Sequence, residues 1–151
     1  MEWFDHLAEN PHIETLLISD NRGHILRSTR KLKSDHEQVA SMVQSFEVLA
    51  QALADGLDCG EAQLLHLTTD LDHILIFPLL GSTFFLIVQT SRRAPLMLLT
   101  VELERVIAAL ATADFVAMRE RAGHTDDTLV LDAAELIEAV REWLQSQQSR
   151  Q

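Results

Sequence analysis

An α/β fold of the α+β kind is what this 151-residue sequence predicts, its strands joined in antiparallel hairpins and covered by helices. Three observations carry the expectation. Residues 13–29 read as strand, turn and strand, and residues 73–89 read as two strands joined at Gly81-Ser82. Two stretches, 35–57 and 95–110, repeat apolar residues at the three-and-four spacing of a helix. Apolar residues make up 47% of the chain and are spread along it, with only five Gly and three Pro to interrupt them, so one folded domain is expected rather than disorder.

The first helix is short. Trp3, Phe4, Leu7 and Ala8 recur at helical spacing, and Pro11 sits badly inside a helix, so the turn ends before it. Ile13 to Ser19 form a largely buried strand, Asp20-Asn21-Arg22-Gly23 supply the turn, and His24 to Thr29 return. Ser34 or Asp35 caps a long helix, with Glu37 adding favourable negative charge to its first turn. Val39, Met42, Val43, Phe46, Leu49, Ala50, Leu53 and Leu57 make its wide apolar face, expected to cover the sheet, and Gly56 or Gly60 stops it. Beside that face runs a stripe of small side chains, Ser41, Ser45, Val48 and Ala52, which is either a surface that a second helix can approach closely or a solvated small-residue face.

Glu61 to Thr68 alternates as a strand, and Thr69 to Asp72 turns into the next. The runs "HILIFPLL" and "TFFLIVQ" are almost continuously apolar, the pattern of central strands covered on both faces. Pro78 is expected to weaken, bulge or end the first of them. Pro95 opens a helix carrying Leu96, Leu99, Leu103, Val106, Ile107 and Leu110 on one stripe. A polar linker over 123–131 then leads to a final amphipathic helix, with Asp132 and Glu135 as a capping box and Ala133, Leu136, Ile137, Val140, Trp143 and Leu144 on its apolar side. The expected organisation is a domain over 1–122, the linker, and a helix with a polar tail over 132–151.

The formal charge of −11 repels nucleic-acid phosphates and anionic membrane surfaces, so neither is an expected partner. No apolar run reaches the length of a bilayer span, and the start lacks a signal-peptide pattern, which predicts a cytoplasmic protein. The lone Cys59 agrees with a reducing compartment. One local exception stands out: Arg22, Arg27, Arg30, Lys31 and Lys33 fall in a stretch without a single acid.

The order helix, hairpin, long helix, three strands, helix resembles the Roadblock/LC7 family over roughly residues 2–118. The residues that carry the likeness are the hairpin "TLLISDNRGHILRS", the long helix 35–57, the hairpin "ILIFPLLGSTFFLIV" and the leucine-rich helix after Pro95. The departures are a shorter first helix, Pro11-His12, and the extra helix at the end. The resemblance implies a five-stranded antiparallel sheet sandwiched between helices, and a non-catalytic homodimer serving as a platform for a Ras-like small GTPase, a motor complex or a signalling assembly. It places the dimer contact on the middle helix and the strand before the central hairpin, here Ser41, Ser45, Val48, Ala52, Gln63 and Leu65.

Catalysis finds little support. The patterns HExxH, GxSxG, GxGxxG and CxxC and the P-loop are all missing. His66 and His73 flank Asp70 and Asp72, a spacing that suits a metal-dependent enzyme, but strand and turn polarity accounts for them more simply. Neither a metal nor any other cofactor is expected. Arg92 and Arg93 precede Pro95, where an inserted arginine would reach a bound nucleotide phosphate, and the plainer reading is a solvated loop. Candidate partner-binding residues are therefore Arg27, Arg30, Lys31, Lys33, Arg92 and Arg93, with Leu136, Val140 and Trp143 on the final helix. A small-ligand sensor on a similar sheet is the alternative function.

Overall fold

The computed structural model describes residues 2–30, 36–125, 140–145 and 147. Its elements are α1 (Glu2–Ala8), β1 (Ile13–Asp20), β2 (Ile25–Ser28), α2 (His36–Gly56), β3 (Leu65–Thr68), β4 (Asp72–Leu79), β5 (Phe84–Ser91), α3 (Leu96–Ala108) and α4 (Thr112–Thr125). The five strands form one sheet in the order β2-β1-β5-β4-β3, and every neighbouring pair is antiparallel. The expected sandwich is what the chain adopts. One face packs Leu16, Ile18, Leu75, Leu86 and Val88 against Phe4 and Leu7 of α1, Leu99 and Leu103 of α3 and Phe115 and Met118 of α4. The other face packs Leu17, Leu65, Ile76, Phe85 and Ile87 against Val43 of α2. Alternation along each strand therefore feeds two cores, which is why β5 shows no polar face at all.

The first turn is organised by one carboxylate. Asp20 is only 2% exposed, and its Oδ1 accepts from the backbone N–H groups of Arg22 (2.9 Å) and His24 (3.0 Å) while Oδ2 faces His24 Nδ1 at 3.1 Å. Gly23 at φ 93° completes the bend in a region closed to most side chains. Asp20→Ala removes the acceptor of two backbone donors at once. Chemical denaturation is expected to show a loss of about 2–3 kcal/mol with an unchanged m-value, since bonds to a charged acceptor contribute ~1.5–3 kcal/mol.

The second hairpin turns through three consecutive left-handed residues, Leu80 (φ 51°), Gly81 (61°) and Ser82 (66°). Only Gly adopts that region freely. Compensation comes from burial of Leu80, from Thr83 N–H donating to the carbonyls of Leu79 (3.1 Å) and Leu80 (3.2 Å), and from Ser82 Oγ donating to Glu47 Oε1 at 2.8 Å. That last bond fastens α2 to the hairpin. Pro78 neither bulges nor ends β4, which stays paired with β5 through Leu79. Because β3 ends opposite Ile76, Pro78 lies on an open edge where a missing donor is tolerated.

Two elements differ from expectation. The strand expected over 61–68 is paired only from Leu65, since Gln51 takes the preceding loop: its Oε1 accepts from Ala62 N–H (3.0 Å) and its Nε2 donates to the Gly60 carbonyl (3.3 Å). The helix after Pro95 stops at Ala108, and a separate helix, α4, starts at Thr112. Asp114 Oδ2 accepts from Ala111 N–H at 2.8 Å, the reach-back half of a capping box, and so opens a new helix axis there. It runs to Thr125, three residues into the stretch expected as linker. The capping-box residues Asp132 and Glu135 lie outside the described residues.

Candidate functional site

The least protein-like surface on this molecule is the outer side of α2. The residues of α2 turned to its own sheet are Ala40, Val43 and Glu47, with Ala50 half-buried. The large apolar row expected to fill the core instead projects outward: Met42 is 55% exposed, Leu49 70%, Leu53 65% and Leu57 69%. The helix is rotated from the expected setting, with Ala40 and Val43 against the sheet and Glu47 drawn inward by its hydrogen bond with Ser82. Ser41, Ser45, Val48 and Ala52 are all exposed and run alongside that row. Ser45 Oγ donates to the Ser41 carbonyl at 3.0 Å, so this hydroxyl is already satisfied within the helix and a helix laid over it buries no orphan donor. Contiguous exposed apolar surface of this kind marks a contact site.

Beside it lies the sheet edge. β3 is an outer strand, and among the described residues its far side pairs with nothing. An open apolar groove of about 460 Å³ joins the two features, lined by Met42, Val43 and Phe46 of α2 and by Leu67, Ile74 and Ile87 of the sheet. Of the two β3-region residues expected at a dimer contact, Gln63 is exposed in the loop, whereas Leu65 is only 4% exposed and belongs to the core beneath α2. The Leu65 side chain thus points into the core, while its backbone belongs to the outer strand β3. Leu67, two residues on and therefore on the same face as Leu65, is 46% exposed and lines the groove beside α2.

Of the six candidate basic residues, Arg27, Arg30, Arg92 and Arg93 are described. Arg27 is bound within its own subunit, its guanidinium paired with Asp5 and stacked 4.6 Å from the centroid of the Phe4 ring. Arg30 is exposed beyond β2, with Glu14 in its field. Lys31 and Lys33 lie outside the described residues. Arg92 stands beside the β3–β4 turn, where its Nη1 donates to the Thr69 carbonyl at 2.9 Å, and Arg93 is exposed next to it. On the final helix Leu136 is outside the described residues. Val140, expected to meet a partner, is 4% exposed and packs in the core of its own chain, and Trp143 meets Phe115 edge-on with ring centroids 5.6 Å apart. An amphipathic face needs an apolar neighbour, and α4, missed in the sequence, supplies it.

Among the described residues no group of three or more His, Cys, Asp or Glu gathers as a metal cluster. Asp72 turns to the α2 face, where it accepts from Gln89 Nε2 at 2.8 Å. His66 and His73 turn to the other face and meet, His66 Nε2 lying 2.9 Å from His73 Nδ1. Partial desolvation, then the charges of His66 and Arg92, hold His73 below the ordinary imidazole range.

Glu14 behaves oppositely. Lost hydration beside the sheet, then the charge of Asp72 and a hydrogen bond with it, raise its carboxyl above the usual 4.5, with Arg30 opposing. The folded state therefore holds the Glu14 proton more tightly than the unfolded one, and the benefit, full below pH 4.5, is lost as pH rises through the folded value. Glu14→Gln is expected to unfold at a higher temperature than the wild type at pH 7, and the gain should vanish below pH 4.5.

No family signature and no curated protein matches the sequence. Solved structures do. MglB of Myxococcus xanthus superposes with a TM-score of 0.64 at 18% identity, covering 71% of this chain and 87% of its own. A Roadblock/LC7 domain from Streptomyces avermitilis gives 0.62 at 15% identity, with 72% and 91% covered. An MglB structure with a tetrameric arrangement gives 0.61 at 21% identity, with 73% and 83% covered. Strand order, sheet pairing and the helices on each face agree with these likenesses, and the chain has the Roadblock/LC7 fold.

Proposed function

We infer that this chain is a non-catalytic adaptor that self-associates through α2 and the β3 edge and, as a homodimer, binds or regulates a Ras-like small GTPase. The observation that carries the reading is the outward apolar row of α2 beside a strand edge unpaired among the described residues. A two-fold interface needs a self-complementary surface, and an open strand edge is a liability unless something pairs it. The tetrameric arrangement of a structurally similar MglB supports self-assembly on this fold. The two clefts at α2 and the sheet formed by described residues are open rather than enclosed, which favours an adaptor over a small-ligand sensor. The GTPase rests on the Roadblock/LC7 resemblance.

Light scattering on the eluting peak of the full chain is expected to give twice its 17.0 kDa mass. Immobilised chain incubated with native lysate and a non-hydrolysable GTP analogue, or with GDP, is expected to retain a small GTPase with a preference for one nucleotide. A monomeric mass removes the dimer, and retention of no GTPase under either nucleotide removes the partner.

A further inference from the structure

We propose that His66 and His73, joined by the hydroxyl of Thr68, bind a transition-metal cation of the Zn²⁺, Ni²⁺ or Cu²⁺ class. The sheet register makes the site. Thr68 pairs directly with His73, and His66 pairs with Leu75, so the two imidazoles are diagonal neighbours on one face, the spacing at which long side chains touch across strands. His66 Nε2 and His73 Nδ1 are 2.9 Å apart, and Thr68 Oγ1 lies 3.3 Å from the first and 3.2 Å from the second. Three donor atoms thus converge on one point.

The size of that triangle suits a cation. Bonds of ~2.0–2.1 Å in tetrahedral geometry set ligand atoms about 3.3 Å apart, so the imidazole pair opens by only ~0.4 Å to admit the ion. His66 and Thr68 are exposed and His73 is half-buried, which leaves the outer coordination positions to water. Imidazole is the ligand that these cations share, whereas Mg²⁺ and Ca²⁺ favour oxygen. The support is rigid: Thr69 N–H donates to the Asp72 carbonyl at 2.9 Å and Thr69 Oγ1 accepts from Asp72 N–H at 3.0 Å, closing the turn that holds both strands.

Protons balance simply. Two facing imidazole nitrogens at this distance share one N–H; when the cation takes both lone pairs, that proton leaves and solvent protonates the outer nitrogen of the same ring. His66 then carries its proton on Nδ1 and His73 on Nε2. Arg92, held on the Thr69 carbonyl at 2.9 Å, opposes a cation here and Asp72 favours one. A site with two imidazoles and one hydroxyl is accordingly weaker than a four-ligand structural site.

The test is calorimetric titration of the EDTA-stripped full chain with zinc chloride and with nickel chloride. One cation per chain is expected in the wild type. His66→Gln and His73→Gln should each weaken binding by at least about tenfold, and Thr68→Val by less, with far-ultraviolet circular dichroism unchanged. His24→Gln, at the first hairpin, should bind as the wild type does. If a glutamine variant misfolds, the wild-type ring resonances decide: zinc should move those of His66 and His73 and no other histidine. Titrations unaffected by both glutamine substitutions, or no heat from the wild type with either salt, would leave a hydrogen-bonded imidazole pair and overturn the proposal.

Discussion

Val48→Glu combined with Ala52→Glu is expected to convert the proposed dimer into a folded monomer of 17.0 kDa. Both positions are exposed in the single chain, Val48 by 59%, so the substitutions touch neither core and should change the stability of the subunit by no more than about 0.5 kcal/mol. A two-fold interface counts each change twice, placing four carboxylates in an apolar contact. Each desolvated charge costs several kcal/mol without a partner, so self-association should weaken by at least ~10³-fold. Met97→Glu supplies the control: that side chain is 84% exposed on α3, far round the fold from α2, and its substitution should leave the dimer mass unaltered. A double variant that still elutes as a dimer at the same concentration would show that this stripe lies outside the contact.

The sheet was readable in the sequence because its signals are local. Turn residues at Asp20 to Gly23 and at Gly81-Ser82 bracket runs too apolar for one-sided strands, and both hairpins form where those signals lie. The expected cap of α2 at Ser34 or Asp35 lies outside the described residues, while its end at Gly56 was equally plain. Its rotation was not, since eight apolar residues wrap so much of the helix that periodicity alone cannot say which of them meets the sheet. The decision falls to packing: Ala40 and Val43 lie against the sheet, and Glu47 is drawn inward by Ser82, a partner 35 residues away. Breaks in helices are harder still. Leu110 continues the stripe of α3 by spacing and stays buried, yet the Asp114 cap redirects the backbone just beyond it. The fate of Arg27 was invisible for the same reason, because Asp5 and Phe4 reach it only once α1 is folded over β2. The candidate site was legible as residue types and not as a surface. Small residues on α2 allowed close approach, while the exposed leucines that accompany them emerged only from packing.

Phe115→Ala should be among the most damaging single changes in the molecule, at about 3–5 kcal/mol in chemical denaturation. Phe115 is 0% exposed in the core between sheet and helices, so the truncated side chain leaves a cavity that close-packed neighbours fill only in part. It also removes the ring on which Trp143 rests, and with it the footing of residues 140–145. Trp143→Ala separates the two effects: being half-buried, it should cost less than Phe115→Ala while releasing the same terminal segment. Hydrogen exchange is the direct readout, with faster exchange over 140–145 in both variants but weakened protection of β1 and β5 only in Phe115→Ala. Equal protection of 140–145 in wild type and both variants would mean that the segment is held by something other than this aromatic contact. The reason to expect otherwise is geometric, since Val140 and Trp143 lie one turn apart on a single helical face and both pack against the same cluster.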